Sequence, residues 1–118
     1  MKLSTVRDLL DAEVLCCADS LDTEAMSACG SDMMSDVLAF VKDQGILLTG
    51  LMNPQTVRTA QMMDMKCIVF VRGKKPDDSV VSLAEENGIV VMTTDFRMYT
   101  ACGTLFANGL FSEGVDKV

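Results

Sequence analysis

Gln44-Gly45-Ile46-Leu47-Leu48-Thr49-Gly50-Leu51-Met52-Asn53-Pro54-Gln55-Thr56-Val57 decides the fold class of this chain. Gly45 interrupts what precedes it. Ile46, Leu47 and Leu48 form an unbroken apolar run, the pattern of a strand covered on both faces. Thr49-Gly50 ends the run with a small hydroxyl and a residue free to take φ > 0. Asn53 is a preferred helix N-cap, and Pro54 at the first helical position forfeits no needed hydrogen bond. Met52 and Val57 flank that cap at the spacing of a hydrophobic staple. The stretch is therefore a buried strand, a tight turn and a capped helix. In parallel α/β sheets that junction lies on the rim where ligands bind.

The same pattern recurs downstream. Cys67 to Val71 and Ile89 to Met92 are two further apolar runs, followed by Arg72-Gly73 and by Thr93-Thr94-Asp95. A helix is expected over Asp77 to Asn87, closed by Asn87-Gly88. Another is expected after a Thr94 or Asp95 cap, ending at Asn108-Gly109. Successive strand–junction–helix units imply βαβ connections and a mainly parallel sheet of four to five strands, with the three runs in its interior and helices on both faces: a three-layer α/β/α domain.

Upstream, Leu3 to Asp11 reads as a helix with Leu3, Val6 and Leu10 on one face. Glu13 to Cys17 reads as a short strand, Ala18 to Asp22 as a polar turn, and Glu24 to Cys29 as extended, with Met26 and Ala28 alternating against Ala25 and Ser27. Gly30-Ser31-Asp32 closes that strand. Ser31 or Asp32 caps a helix whose inward stripe is Val37, Leu38 and Val41, and capping is the favoured reading of Ser31, Asp32 and Asp36 taken singly. The length of 118 residues fits a single domain, 1–118, with a frayed tail over 110–118 from which Leu110 and Phe111 can pack back.

Composition excludes several function classes. The net charge of −7 repels nucleic acid and anionic membrane as general partners, and 5% aromatic residues without Trp make poor base-stacking platforms. No apolar run approaches the roughly 18 residues of a membrane span, and no signal-peptide core is visible, so a cytoplasmic protein is expected. Histidine is absent, which removes Ser-His-Asp and Cys-His catalysis. Cys16, Cys17, Cys29, Cys67 and Cys102 show no Cys-x-x-Cys spacing and are expected to be reduced and largely buried, with no metal and no cofactor. Gly73-Lys74 is not a phosphate loop, because position 68 is Ile and position 75 is Lys.

A parallel sheet brings every strand end to one edge. Ser31, Asp32, Thr49, Gly50, Asn53, Arg72, Gly73, Thr93 and Thr94 are therefore expected to share a rim that offers hydroxyls, helix N-termini and glycines. Arg72-Gly73-Lys74-Lys75 concentrates three of ten basic residues there. It reads equally as an anion-facing loop and as a solvated one. A ligand site would turn Arg72 inward, whereas an adaptor would leave it on an open loop.

Ser31-Asp32-Met33-Met34-Ser35-Asp36-Val37-Leu38, Leu48-Thr49-Gly50, Val71-Arg72-Gly73 with Lys75-Pro76, and Gly88-Ile89-Val90 together resemble the DRTGG domain over nearly the whole chain. Similar domains precede the catalytic part of HPr kinase/phosphorylase and of some phosphotransacetylases, and accompany CBS domains in some inorganic pyrophosphatases. Stand-alone copies are associated with iron-only hydrogenase genes. The resemblance implies a three-layer α/β/α domain serving regulation or assembly, and it carries over no catalytic residue. The expected function is a non-catalytic regulatory domain, a homodimer, that binds a small anionic metabolite or nucleotide at the rim. The alternative is an adaptor for a partner enzyme, with no small ligand.

Overall fold

The computed structural model describes residues 1–40 and 45–111. Its elements are α1 (Leu3–Leu10), β1 (Glu13–Cys16), a 3-10 turn (Ala18–Ser20), β2 (Ala28–Gly30), α2 (Met34–Phe40), β3 (Ile46–Thr49), α3 (Pro54–Met62), β4 (Cys67–Phe70), α4 (Asp78–Glu86), β5 (Val90–Thr93) and α5 (Met98–Ala107). The five strands form one sheet in the order β1-β5-β4-β3-β2. The pairs β2/β3, β3/β4 and β4/β5 are parallel, with Leu48 opposite Val69 and Val69 opposite Met92. The mainly parallel sheet is as expected, and its three central strands are those that the apolar runs mark.

All three interior strands are buried at every position, and their side chains divide between two cores by period two. Ile46, Leu48, Cys67, Val69, Val90 and Met92 face α1 and α5, where they meet Leu3, Val6, Leu10, Ala101 and Leu105. Leu47, Ile68, Phe70 and Val91 face α2, α3 and α4, where they meet Val37, Val57, Ala60, Val80 and Ala84. Because β2 to β5 are laid down in sequential order, their three connecting helices fall on one face. The other face is covered by α1 and α5.

β1 departs from this parallel logic. It pairs antiparallel with β5, Val14 opposite Met92, with a bulge between Val14 and Cys16. The reversal is made just after α1, where Asp11 takes a left-handed backbone (φ 48°) and its N–H caps the helix on the Arg7 and Asp8 carbonyls.

Local expectations fared unevenly. Asn53 caps α3, its side chain accepting the Thr56 N–H at 3.3 Å, and Met52 packs on the cluster that holds Val57. Asp77 caps α4 by accepting from Val80 N–H, and Asn87 ends it. In α2 the inward positions are Met34 and Val37, while Leu38 is exposed, because a three-residue step from 34 to 37 already fills the groove beside α3. Val41 lies outside the described residues. The segment before β2 keeps its alternation, with Ala25 and Ser27 buried and Met26 exposed, but only Ala28–Gly30 joins the sheet, while Glu24 makes an isolated antiparallel bridge with Lys2. Leu110 packs back, its N–H donated to the Leu105 carbonyl, and Ala28 N–H reaches the Phe111 carbonyl. Ser112 to Val118 are outside the described residues.

The five thiols are free, two of them buried and three half-buried rather than all largely buried. Burial pushes the Cys16 thiol up to about 11, with Cys17 beside it adding to the shift. Burial likewise raises Cys67, Cys29 and Cys102. In the unfolded chain these groups ionise near 9.0. The native state thus holds protons that the unfolded state releases, and stability should be full below that value and fall as pH rises from 9 toward 11. Urea unfolding at stepped pH tests this. A flat profile through that window would contradict the burial of Cys16 and Cys67.

Candidate functional site

The C-terminal ends of β2, β3, β4 and β5 lie on one rim, and the residues that follow them are tied to one another by hydrogen bonds. After β2, Ser31 N–H extends the ladder to the Leu48 carbonyl. Ser31 Oγ then accepts from Met33 N–H at 3.0 Å and donates to the Met33 carbonyl. Asp32 lies just before α2, yet its carboxylate reaches across the rim. Its Oδ1 crosses to the end of β3, accepting from Thr49 Oγ1 at 3.0 Å and from Gly50 N–H at 2.7 Å. Beside the capping reading, Asp32 thus has a role across the rim, joining the end of β2 to the end of β3. Thr49 Oγ1, fully buried, also accepts from Leu51 N–H and so shapes the turn that leads to Asn53.

Gly50 has a second neighbour. The Arg72 guanidinium lies over its Cα, so that a Cβ there would collide with Nη2 and sit 2.9 Å from Cζ. Gly50 is not among the residues with positive φ. The reason for glycine is this close approach across the rim, and the expectation that it relieves a left-handed turn is corrected.

Arg72 itself takes the left-handed backbone, φ 72°, and Gly73 follows at φ 71°. Their N–H groups are donated to the Phe96 and Thr94 carbonyls, each at 2.8 Å. The two loops therefore zip together beyond β4 and β5, which fixes the Arg72 backbone while leaving its side chain exposed. A non-glycine residue held at positive φ stores strain of about 1 kcal/mol or more. Among the described residues, no carboxylate lies within ion-pair distance of the Arg72 guanidinium, whereas Lys75 pairs with Glu13 at 3.0 Å. Arg72 meets neither simple alternative posed for it: it is open to solvent, yet its guanidinium is seated over Gly50 rather than adrift on a loop.

Thr93 and Thr94 end β5 as expected, but their hydroxyls are engaged by backbone carbonyls. Thr93 Oγ1 donates to the Lys74 carbonyl at 2.7 Å, and Thr94 Oγ1 to the Leu10 carbonyl at 2.6 Å. The second bond exists because α1 and β1 arrive antiparallel beside β5. Thr94 Oγ1 also accepts from Phe96 N–H, which uses up the capping role expected of it; α5 starts only at Met98, with Arg97 as a cap that makes no side-chain bond. The rim thus assembles Ser31, Asp32, Thr49, Gly50, Arg72 and Gly73. Asn53 is committed to α3, and Thr93 and Thr94 to holding the loops in place. Among the described residues, no group of three metal-ligating side chains is gathered.

A second concavity went unread in the sequence. Between the edge strand β2 and α5 lies a cleft of about 110 Å³ lined by Ala28, Gly30, Leu48, Cys102, Phe106 and Phe111 among others. Gly30 makes it, since a Cβ there would lie 2.6 Å from Cys102 Sγ. The available signal was glycine at a strand end together with the charge-free run Met98 to Ala107.

Comparison with known proteins bears on the family and the fold. The family model for the DRTGG domain matches residues 5–106. No curated protein matches the chain. Among solved structures, the chain is similar to the CBS and DRTGG domains of the regulatory region of Clostridium perfringens pyrophosphatase, crystallised with the activator diadenosine tetraphosphate. The TM-score is 0.73 at 19% identity, over 88% of this chain and 45% of that one. The chain therefore spans less than half of that regulatory region, and the likeness is one of fold. Among the described residues no helix is long and apolar enough to cross a membrane.

Proposed function

The chain belongs to the DRTGG domain family, and from that premise we propose that it is a non-catalytic regulatory domain that binds a small anionic metabolite or nucleotide at the C-terminal rim of its sheet. The observation that carries this reading is Arg72. Its backbone is held in a strained conformation by two loops, and its guanidinium is seated on Gly50 with no carboxylate partner among the described residues. A guanidinium so placed can grip phosphate or carboxylate through two parallel hydrogen bonds. Gly50 lets the guanidinium settle close to the end of β3, and Asp32 beside it offers a carboxylate for a hydroxyl of the same ligand, a pairing of groups that nucleotides provide. The similar fold in a regulatory region crystallised with a nucleotide activator supports the nucleotide class without locating its site.

The test is calorimetry with inorganic phosphate, pyrophosphate, ATP and diadenosine tetraphosphate. At least one probe should bind the parent. Arg72→Ala should lose about tenfold to hundredfold in affinity, the worth of a charged bidentate contact of about 1.5–3 kcal/mol, and Arg72→Lys should lose less. Gly50→Ala should weaken binding while leaving the fold intact, because the clash it makes is with the movable end of Arg72. Thr49→Val should weaken it least, acting through Asp32 and through the turn that Leu51 N–H anchors. If no probe binds, or if Arg72→Ala binds as the parent does, the rim is not an anion site. The domain is then better read as an adaptor for a partner enzyme.

A further inference from the structure

Two copies of this chain repel one another over most of their surface, since each carries a net charge of −7. α5 is the exception. Every other described α-helix bears at least one ionised side chain: Arg7 and Asp8 on α1, Asp36 on α2, Arg58 on α3, and Asp78, Glu85 and Glu86 on α4. Met98 to Ala107 bears none. Its inner face buries Ala101 and Leu105 against the sheet. Its outer face carries Tyr99, which is 91% exposed, Phe106, Gly103 and Ala107. Two polar side chains at its C-terminal end are satisfied within it: Thr104 Oγ1 donates to the Thr100 carbonyl, and Asn108 Nδ2 to the Thr104 carbonyl. Nothing lies within 4 Å of the position a Gly103 Cβ would occupy.

We propose that this outer face of α5 pairs with the same face of a second copy, helix against helix and antiparallel, about a twofold axis through Gly103. A twofold interface places a patch against itself, so a charged face opposes its own charge and a neutral one does not. The size pattern fits as well. Tyr99 and Ala107 stand four residues to either side of Gly103, about 6 Å along the helix axis. An antiparallel partner centred there sets Gly103 against Gly103 and the large Tyr99 against the small Ala107, twice over. Large opposed to small is the arrangement that lets ridges seat in grooves. Phe106 extends the strip to the apolar cleft beside β2, making a continuous uncharged surface of the kind that marks an association site.

Sedimentation velocity of the full chain over a concentration series tests the pairing, with circular dichroism on each variant. The parent should sediment with the mass of two 12.8 kDa chains. Gly103→Glu should halve that mass with an unchanged spectrum, because the added side chain points into open space and glutamate suits a helix better than glycine. Tyr99→Lys and Ala107→Glu should each weaken association. Combined in one chain they should restore it, since each lysine then meets a glutamate of the other copy. A parent that stays at one chain mass overturns the proposal and leaves the face to a different protein. A dimer that survives Gly103→Glu, or singles that are not rescued by the double variant, overturns it in favour of another surface or another register.

Discussion

Phe70→Ala should cost the fold about 3–5 kcal/mol, enough to consume a large share of the stability of a domain this size. Phe70 closes β4, the central strand, and is the largest of the fully buried side chains. It packs in the core between the sheet and α2, α3 and α4, with Val57, Ala60, Val80 and Ala84 in the same cluster. Removing the ring leaves a cavity walled by a sheet that is hydrogen-bonded on both sides and by two capped helices, so the site has little freedom to collapse. Urea unfolding should show a large fall in midpoint at an unchanged slope. A loss below about 1 kcal/mol would mean that the core repacks around the gap.

Gly45→Ala is the second large effect, expected at about 2–3 kcal/mol for a single added methyl. A Cβ at Gly45 would stand 2.6 Å from both the Ser27 carbonyl oxygen and Ser27 Oγ, and 3.0 Å from the carbonyl carbon. Ser27 is buried, and its carbonyl accepts from Ile46 N–H at 2.9 Å. The Gly45 carbonyl accepts from Lys66 N–H at 2.9 Å. Backbone on both sides is therefore engaged where the β2/β3 and β3/β4 ladders begin. The chain cannot give way without losing one of those bonds. Gly88→Ala is the control of opposite character: nothing lies near its Cβ, and only the positive φ of 68° opposes substitution. If the two variants lose equally, crowding at Ser27 is not the cause.

The interior strands were legible because an interior parallel strand has no polar face: Ile46-Leu47-Leu48 and Cys67-Ile68-Val69-Phe70 carry no other plausible burial. The Asn53-Pro54 cap was legible because capping is decided within four residues. Contacts made across the rim were not. Asp32 precedes a helix and so reads as its cap, but the donors that bind it belong to Thr49 and Gly50, seventeen and eighteen residues on. Gly50 reads as a turn glycine, whereas its requirement is set by a side chain twenty-two positions away. Arg72 gives no local hint of positive φ, since arginine does not seek that conformation and only the zipped loops impose it. Thr93 and Thr94 were placed at the right strand end, but the acceptors that engage their hydroxyls were not legible, because the carbonyl that captures Thr94 comes from α1 by way of an antiparallel strand that no period-two pattern could orient.

That antiparallel strand also sets a timetable. The first strand of the chain finds its partner, β5, only after some eighty residues have been made, and α1 packs on α5, later still. The β2-to-β4 run can assemble progressively, each strand adding beside the last. The start of α1 can bond locally to residues 21–25, but β1 cannot pair until β5 is in place, and closing so long a loop costs chain entropy before that pairing rewards it. During synthesis, Leu3, Val6 and Leu10 would wait as an exposed amphipathic helix, and the sheet face formed by Ile46, Leu48 and Val69 would wait uncovered with them. Docking of β1 is accordingly expected to come late in folding, and a nascent chain halted before β5 should be the species most exposed to aggregation.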